Sequence, residues 1–172
     1  YRESHRKLAK EQRKLSRKAG SKKNEIKSNN YLKQLRKVNK VHRHIANQRM
    51  DHLHKISTKI ANQYDVVCVE TLNMRFMANH GFGNGKATLD NGYGMFISML
   101  EYKLSERNKY LVKVDKWFPS SQICHSCGTI HPEMKNLAIR KMTCDCGLTI
   151  SRDQNAAINI LREGLRLLTE VA

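Results

Sequence analysis

The stretch CHSCGTIHPEMKNLAIRKMTCDCGLTISRDQNAAINIL, residues 124–161, holds four of the chain's five cysteines. Cys124 and Cys127 form a C-x-x-C pair, Cys144 and Cys146 form a C-x-C pair, and 16 residues separate the two pairs. Each pair is followed at once by a glycine, which is typical of knuckles whose backbone N–H groups face the sulfur atoms. Four thiolates suit tetrahedral Zn²⁺, so the spacing predicts a closed, structural zinc site.

Two disulfides are the main alternative interpretation of these cysteines. The close spacing of Cys144 and Cys146, and a cytosol that keeps thiols reduced, argue against disulfides. His125 or His131 is a further candidate, in place of one sulfur. A zinc ion would replace the apolar core that a module of roughly 30 residues cannot build by itself.

The elements before and after the cysteines predict an α/β organisation. Residues 65–70, DVVCVE, contain four consecutive apolar residues, a pattern typical of a buried strand in a parallel or mixed sheet. A glycine-rich loop over 77–85 is followed by a predicted helix from about 90 to 108 and a predicted strand over 110–118. A helix from about Asp153 to Leu168 ends the series, so the cysteine module is inserted before the last helix.

The first third of the chain carries almost all of its charge. The net charge is +17 over 172 residues, and residues 1–62 hold 19 Lys and Arg against 4 Asp and Glu. Segments 2–19 and 25–62 predict two antiparallel helices, each with a wide basic face and a narrow apolar stripe. We expect the pair to dock on something further along the chain or missing from it. Nucleic acid is the favoured partner, because phosphate backbones release counterions on binding such a surface. An anionic membrane surface and a merely solvated helix face are the alternatives.

Composition also limits the cellular context that we expect. No apolar run approaches the roughly 20 residues that a membrane-spanning helix needs. The sequence begins at Tyr1 without an initiator Met or an apolar signal segment. We therefore expect an internal piece of a longer, cytoplasmic protein that has no membrane partner.

Two acidic residues occupy positions at which carboxylates can act on a ligand. Glu70 ends the predicted apolar strand, and Asp153 begins the last predicted helix. The simpler interpretations are a solvated strand-end residue for Glu70 and a helix cap or first-turn acid for Asp153. The pattern alone leaves both interpretations open.

Several segments together resemble the TnpB/OrfB family of insertion-sequence proteins, which are relatives of the type V CRISPR effectors. Proteins of this family carry a RuvC-like nuclease with a zinc ribbon inserted before its last helix. The resemblance runs over nearly all of the chain, and its last segment, joined to the cysteine pairs, is highly specific. The matching segments are VVCVETLN (66–73), LEYK (100–103), VKVD (112–115), FPSS (118–121) leading into the first cysteine pair, and RDQNAAINI (152–160).

The resemblance implies an RNase H-like (RuvC-like) α/β nuclease core that is incomplete at its amino-terminal strands. It assigns residues 1–62 to a basic helical hairpin and 63–118 to a strand–helix–strand core. It assigns residues 119–150 to the zinc ribbon and 151–172 to the last helix.

The resemblance also implies the chemistry of the site. Glu70 and Asp153 become the second and third of three carboxylates that bind two Mg²⁺ or Mn²⁺ ions and hydrolyse DNA phosphodiesters under the direction of a guide RNA. The first Asp of the family has no counterpart in these 172 residues, so we expect the chain alone not to cut DNA. Tyr93 stands where the family commonly has Trp, and Ile150-Ser151 replace acidic or histidine residues.

Two other functions remain open. One is a nuclease-dead nucleic-acid-binding protein or repressor derived from the same family. The other is a zinc-ribbon RNA-binding protein unrelated to nucleases. The presence of both Glu70 and Asp153 favours the nuclease.

Overall fold

The computed structural model describes residues 1–19, 27–73 and 92–171, with Val171 described by its backbone alone. The glycine-rich loop predicted over 77–85 lies outside these residues. The chain divides into two compact units, Tyr1–Ile56 and Ser57–Ala172. Among the described residues, no helix is both long enough and apolar enough to span a bilayer.

The first unit is a pair of antiparallel helices, as predicted. Helix α1 spans Arg2–Arg17, and helix α2, which begins in this unit, spans Asn29–Gln63. The Ser4 hydroxyl, early in α1, donates a hydrogen bond to Gln48 Oε1 (2.9 Å), far along α2. The Gln34 amide, early in α2, donates to Glu11 Oε2 (2.7 Å), later in α1. These pairings fix the antiparallel direction.

The apolar stripes of the two helices pack against each other. Their shared core is formed by Leu8, Val38, Val41 and Ile45, with Leu15 against it. The helices therefore cover this part of their stripes mutually, whereas the end of α2 packs on residues further along the chain through Ala61, as the docking expectation required. The spacing of three or four residues also predicts Leu32 and Ile56 on the apolar stripe of α2, but they are 42% and 37% exposed.

The second unit contains a parallel pair of strands. Strand β1 spans Val66–Glu70 and strand β2 spans Tyr110–Val114, and Glu70 is the register partner of Val114. Helix α3, Tyr93–Ser105, lies between them in sequence. Strand β2 ends earlier than the predicted residue 118, because the Asp115 carboxylate accepts a hydrogen bond from the backbone N–H of Trp117 (2.7 Å) and turns the chain.

The core of this unit includes a buried lysine. Leu100 and Leu104 of α3 are fully buried with Ala61, and Val67 and Leu111 of the sheet pack against them. Lys103 is only 6% exposed, and its ammonium donates hydrogen bonds to the hydroxyls of Ser57 (2.7 Å) and Thr58 (2.8 Å). Burial lowers the pKa of Lys103. The LEYK segment thus contributes an internal polar contact as well as apolar packing.

The cysteine module lies between β2 and the last helix, α4, which spans Arg152–Val171. It contains a 3₁₀ helix, Pro132–Lys135, and an antiparallel hairpin of β3, Lys141–Thr143, and β4, Thr149–Ser151. The structure is thus a mixed α/β protein with an inserted cysteine module, as the order of predicted elements indicated. The small module core consists of Cys124, Met134, Met142 and Cys144, with Ile139, Leu148 and Ile150 against it.

Helix α4 reaches the sheet through a glycine. A Cβ atom added at Gly164 would lie 2.8 Å from Cβ of Cys68 in β1 and closer still to its sulfur. Such distances are shorter than real side-chain contacts, and Cys68 belongs to a strand, so the backbone must move. Gly164 therefore permits the close approach of α4 to β1.

We expect Gly164→Ala to lower the free energy of unfolding of the zinc-loaded chain by about 1–3 kcal/mol, because it overpacks this contact. Gly94→Ala is a matched control, since a Cβ at Gly94 meets nothing within 4 Å. The control should leave stability unchanged or raise it by up to about 1 kcal/mol, because alanine favours a helix more than glycine does. Urea denaturation followed by circular dichroism measures both; equal stabilities for the two variants would contradict the packing argument.

Candidate active site and metal centre

The four cysteines of the two pairs converge on one point. One sulfur from each residue lies within 4.8 Å of all the others. The sulfurs of Cys127 and Cys144 are 3.5 Å apart, and those of Cys124 and Cys146 are 3.8 Å apart. A tetrahedral Zn²⁺ with Zn–S bonds of about 2.3 Å requires sulfur–sulfur separations of about 3.8 Å. These two separations are close to that value, so the group could hold a zinc ion.

Both knuckles are tight turns closed by glycine. Gly128 has a φ of +81° and Gly147 a φ of +88°, a region that other residues rarely adopt. The N–H of Gly128 donates to the carbonyl of Cys124 (2.9 Å), and the N–H of Gly147 donates to the carbonyl of Cys144 (2.9 Å). The C-x-C pair thus forms a comparable turn although it is one residue shorter than C-x-x-C.

The first knuckle also favours a thiolate. The hydroxyl and the backbone N–H of Thr129 form hydrogen bonds with the Cys127 sulfur, and these lower the pKa of Cys127 to about 6. Metal ligation requires the deprotonated thiol. Burial and the hydrogen bonds to Cys127, Cys146 and Cys124 raise the pKa of Cys144 in the same cluster. Cys127 is therefore the more readily deprotonated thiol of these two, and zinc would have to displace the proton of Cys144.

The alternative histidine ligands lie outside the sulfur group. His131 Nδ1 is 2.9 Å from Glu133 Oε1, and the backbone N–H of His125 donates to Asn155 Oδ1 (3.0 Å). Among the described residues, the group of potential metal ligands consists of the four cysteines. All five cysteines are free thiols in this structure, so the disulfide alternative is not supported.

The two acidic residues singled out in the sequence line the same cavity, which has a volume of about 460 Å³. Glu70 reaches it from the carboxyl end of β1, and Asp153 from the first turn of α4. The 116–122 segment and the cysteine module complete its walls. Three cationic residues also line it: Lys116, Arg140 and Arg152.

The environment of the Glu70 carboxylate favours the binding of a divalent cation. Its partial burial raises the pKa of its carboxyl group. The hydroxyl of Tyr93 donates to the backbone carbonyl of Glu70 (2.9 Å), and burial and the charge of Glu70 raise the pKa of that tyrosine. Within the described parts of the chain, neither the Glu70 nor the Asp153 carboxylate has a salt-bridge partner. A divalent cation would offset this unpaired negative charge.

Two asparagines of α4 hold the cavity wall in place, and sequence reasoning gave them no role. Asn155 and Asn159 are 0% and 5% exposed. Both donate to the carbonyl of Ile123, at 2.7 and 2.6 Å, and Asn159 also donates to the carbonyl of Ser120 (2.8 Å). Amides four residues apart on one helix face were the available signal. They fix the start of the cysteine module to the helix that carries Asp153.

Two family models match the chain. A model described as "Probable transposase", the OrfB family of IS605, matches residues 1–80. A model described as "Cas12f1-like, TNB domain" matches residues 93–160 and includes the four cysteines. The matches together cover both units.

Named relatives extend over most of the chain. A "Putative RNA-guided DNA endonuclease" of Streptomyces pristinaespiralis is 42% identical over 158 residues, which are 92% of this chain and 37% of that protein. The Escherichia coli K12 protein of the same description, InsQ, is 32% identical over 183 aligned residues, 98% of this chain and 44% of that protein. The chain thus spans less than half the length of these relatives.

A solved structure shares the fold. The cryo-EM structure of the Cas12f1–sgRNA–target DNA complex matches 91% of this chain and 40% of that chain with a TM-score of 0.54, at 17% identity. Fold and site therefore define an α/β protein with an inserted four-cysteine module. The family models and the sequence relatives identify it further: the chain belongs to the TnpB/OrfB family of transposon-associated proteins.

Proposed function

We propose that this chain supplies two metal-binding carboxylates to an RNA-guided DNA endonuclease whose hydrolysis of phosphodiesters depends on Mg²⁺ or Mn²⁺. The observation that carries the proposal is that Glu70 and Asp153, 83 positions apart in the sequence, line one cavity. RNA guidance is taken from the names of the relatives. An RNase H-like arrangement of the core is part of the same proposal.

Glu70 and Asp153 would hold the catalytic ions. When bound, such ions activate a water molecule and stabilise the leaving oxygen of the cut strand. Tyr93 fixes the backbone at Glu70 through its hydrogen bond to the carbonyl, so the carboxylate leaves the strand end in a defined direction. Arg140 and Arg152 line the same cavity, where their guanidinium groups attract phosphate oxygens.

The helical hairpin would contact the nucleic-acid backbone. Its residues belong to the segment 1–62, which carries 19 of the chain's 32 Lys and Arg. Between α1 and α2, a cavity of about 600 Å³ is lined by four lysines and a histidine beside two glutamates: Lys7, Lys14, Lys37, Lys40, His44, Glu3 and Glu11. Phosphates of the guide RNA or of the target DNA are the ligands that such a basic surface favours.

The four cysteines, Cys124, Cys127, Cys144 and Cys146, would hold a structural Zn²⁺. All four positions are protein sulfurs, which leaves no open coordination position for substrate. The role of this ion would be to stabilise the module that forms one wall of the cavity, and it would take no part in hydrolysis.

The proposal is tested by cleavage of a target duplex. We call the longer protein to which this chain is proposed to belong the parent protein. Programmed with its guide RNA, the parent protein should cut the target in Mg²⁺ and leave it intact without a divalent cation. The 172-residue chain should not cut under the same conditions, because it supplies only two of the family's three carboxylates. Divalent-independent cutting by the parent, or Glu70-dependent cutting by the 172 residues alone, would contradict the proposal.

A further inference from the structure

We propose that Trp117 forms a nucleobase-stacking site at the cavity lined by Glu70 and Asp153. The inference rests on the proposed function, since the nuclease chemistry explains why a nucleic-acid strand would enter this cavity. Trp117 itself lines the cavity, next to Lys116 and on the same segment that leads into the cysteine module.

The high exposure of the Trp117 side chain favours a role in ligand binding. It is the chain's single tryptophan, and at 78% exposed it is the most exposed large apolar side chain among the described residues. A tryptophan ring is a large hydrophobic surface, and leaving it in water forgoes the favourable burial that such a ring usually gains. Charged side chains line the cavity beside Trp117, and an apolar protein partner would have to bury their charges. A flat aromatic ligand that carries negative charge can cover the ring and also pair with the cationic side chains.

One face of the ring is already occupied. The Lys116 ammonium lies over the Trp117 ring, 4.7 Å from its centroid. This distance is within the range of a cation–π interaction. A base can stack on the opposite face, and Lys116 adds a positive charge beside the ring that attracts the phosphate backbone. Ring and cation thus match the two chemical parts of one nucleotide.

The backbone at Trp117 is fixed in advance. The N–H of Trp117 donates to the Asp115 carboxylate (2.7 Å), and the N–H of Phe118 donates to the Asp115 carbonyl (3.1 Å). Two residues further on, the carbonyl of Ser120 is held by the buried Asn159 amide (2.8 Å). The backbone that carries the ring therefore does not have to be ordered when a ligand binds.

The surroundings select a single strand as the ligand. Arg140 and Arg152 line the same cavity and offer guanidinium groups to the phosphates of a bound strand. Arg152 also donates a hydrogen bond to the Asn136 carbonyl (3.3 Å). Stacking on an aromatic side chain requires a base whose face is open, which a paired and stacked duplex does not offer in its interior. The site therefore takes an unpaired nucleotide of any base identity, because every base has a flat aromatic face.

Fluorescence of the zinc-loaded 172-residue chain tests the inference directly, because Trp117 is its only tryptophan. The chain is titrated without Mg²⁺ with a single-stranded oligodeoxynucleotide and with an abasic strand of equal length and charge. The base-bearing strand should quench the tryptophan, and the abasic strand should not. Anisotropy of labelled strands should show that Trp117→Ala weakens binding of the base-bearing strand about tenfold, with the abasic strand unaffected.

The conservative variant Trp117→Tyr should recover most of the lost affinity, since it restores an aromatic face. Tyr64→Ala, which removes another exposed aromatic side chain from the same unit, should leave both affinities unchanged. Equal binding of the two strands, or equal weakening of both by Trp117→Ala, would overturn the inference. The fluorescence test measures no cleavage, so its result is independent of the cleavage test. If the parent protein cleaves DNA but the base-bearing strand does not quench Trp117, only the stacking inference is wrong. If the strand quenches Trp117 but the parent protein does not cleave, only the proposed nuclease function is wrong.

Discussion

Glu70→Gln or Asp153→Asn in the guide-programmed parent protein is expected to lower DNA cleavage by at least about a hundredfold. Even residues that only orient a metal ligand typically account for 10–100-fold, and these two carboxylates would be the ligands themselves. Each substitution keeps the size of the side chain and removes one negative charge from the cavity. Cleavage of a labelled target duplex at saturating Mg²⁺, followed over time on a denaturing gel, measures the effect.

Glu106→Gln is the matched control, because Glu106 is an exposed carboxylate of the same unit that does not line this cavity. It should cleave at the wild-type rate. If Glu70→Gln or Asp153→Asn retained wild-type cleavage, these two carboxylates would not be ligands of the catalytic ions, and the proposed site would be wrong. A guide-programmed parent protein that did not cleave at all would favour the nuclease-dead binder. Affinity for the target should change little in either variant, since the proposed loss is in chemistry.

Thermal unfolding separates lost chemistry from lost structure. Partial burial raises the pKa of Glu70, so the folded state disfavours its charged form. An acid with a raised folded pKa destabilises the fold above that pKa, and the cost disappears as the pH falls through it. In the absence of divalent cations, Glu70→Gln should therefore match or exceed the wild-type Tm at pH 7, and the difference should shrink towards acidic pH.

The features that sequence analysis predicted well are local ones. The cysteine pairs specify their knuckles through short spacing and a following glycine, so the sulfur cluster could be expected from 23 consecutive residues. The apolar run before Glu70 likewise predicted a strand of a parallel or mixed sheet, which its parallel pairing with β2 confirms. The full burial expected for that run was wrong, because all five residues of β1 are only half-buried. That Glu70 and Asp153 share a cavity was expected from family resemblance; their separate patterns left them as a strand-end acid and a helix-start acid.

The features that it missed depend on distant neighbours. Nothing beside Gly164 in the sequence indicates that Cys68 lies against it, and nothing beside Asn159 indicates that the Ser120 carbonyl needs a donor. A lysine is expected at the surface, and nothing near Lys103 in the sequence indicates that its ammonium donates hydrogen bonds to the Ser57 and Thr58 hydroxyls of α2. Each of these contacts joins residues that are far apart in the sequence, so no local pattern could indicate them. The two candidate acids were easier to find because each stands at the end of a predicted element.

Removal of zinc, by a strong chelator or by Cys144→Ser, should unfold the cysteine module. Its apolar core is small, with Met134 and Met142 as its buried members besides two of the cysteines themselves. The apparent binding free energy of a structural Zn²⁺ in modules of this size is about 10–16 kcal/mol at neutral pH, far more than such a core provides. Metal analysis should give one zinc per wild-type chain and none in the variant. Hydrogen exchange should show lost protection in residues 124–151.

Cys68→Ala is the control, because Cys68 is the one cysteine outside the sulfur cluster. It should retain one zinc per chain and full protection in the module. Asn155 and Asn159 hold the module's start against α4, so unfolding of the module also removes the wall that faces Asp153. Zinc-depleted parent protein should then lose cleavage even with Mg²⁺ in excess. A zinc-free protein that kept a protected module and cleaved normally would show that the sulfur cluster stabilises nothing the site needs.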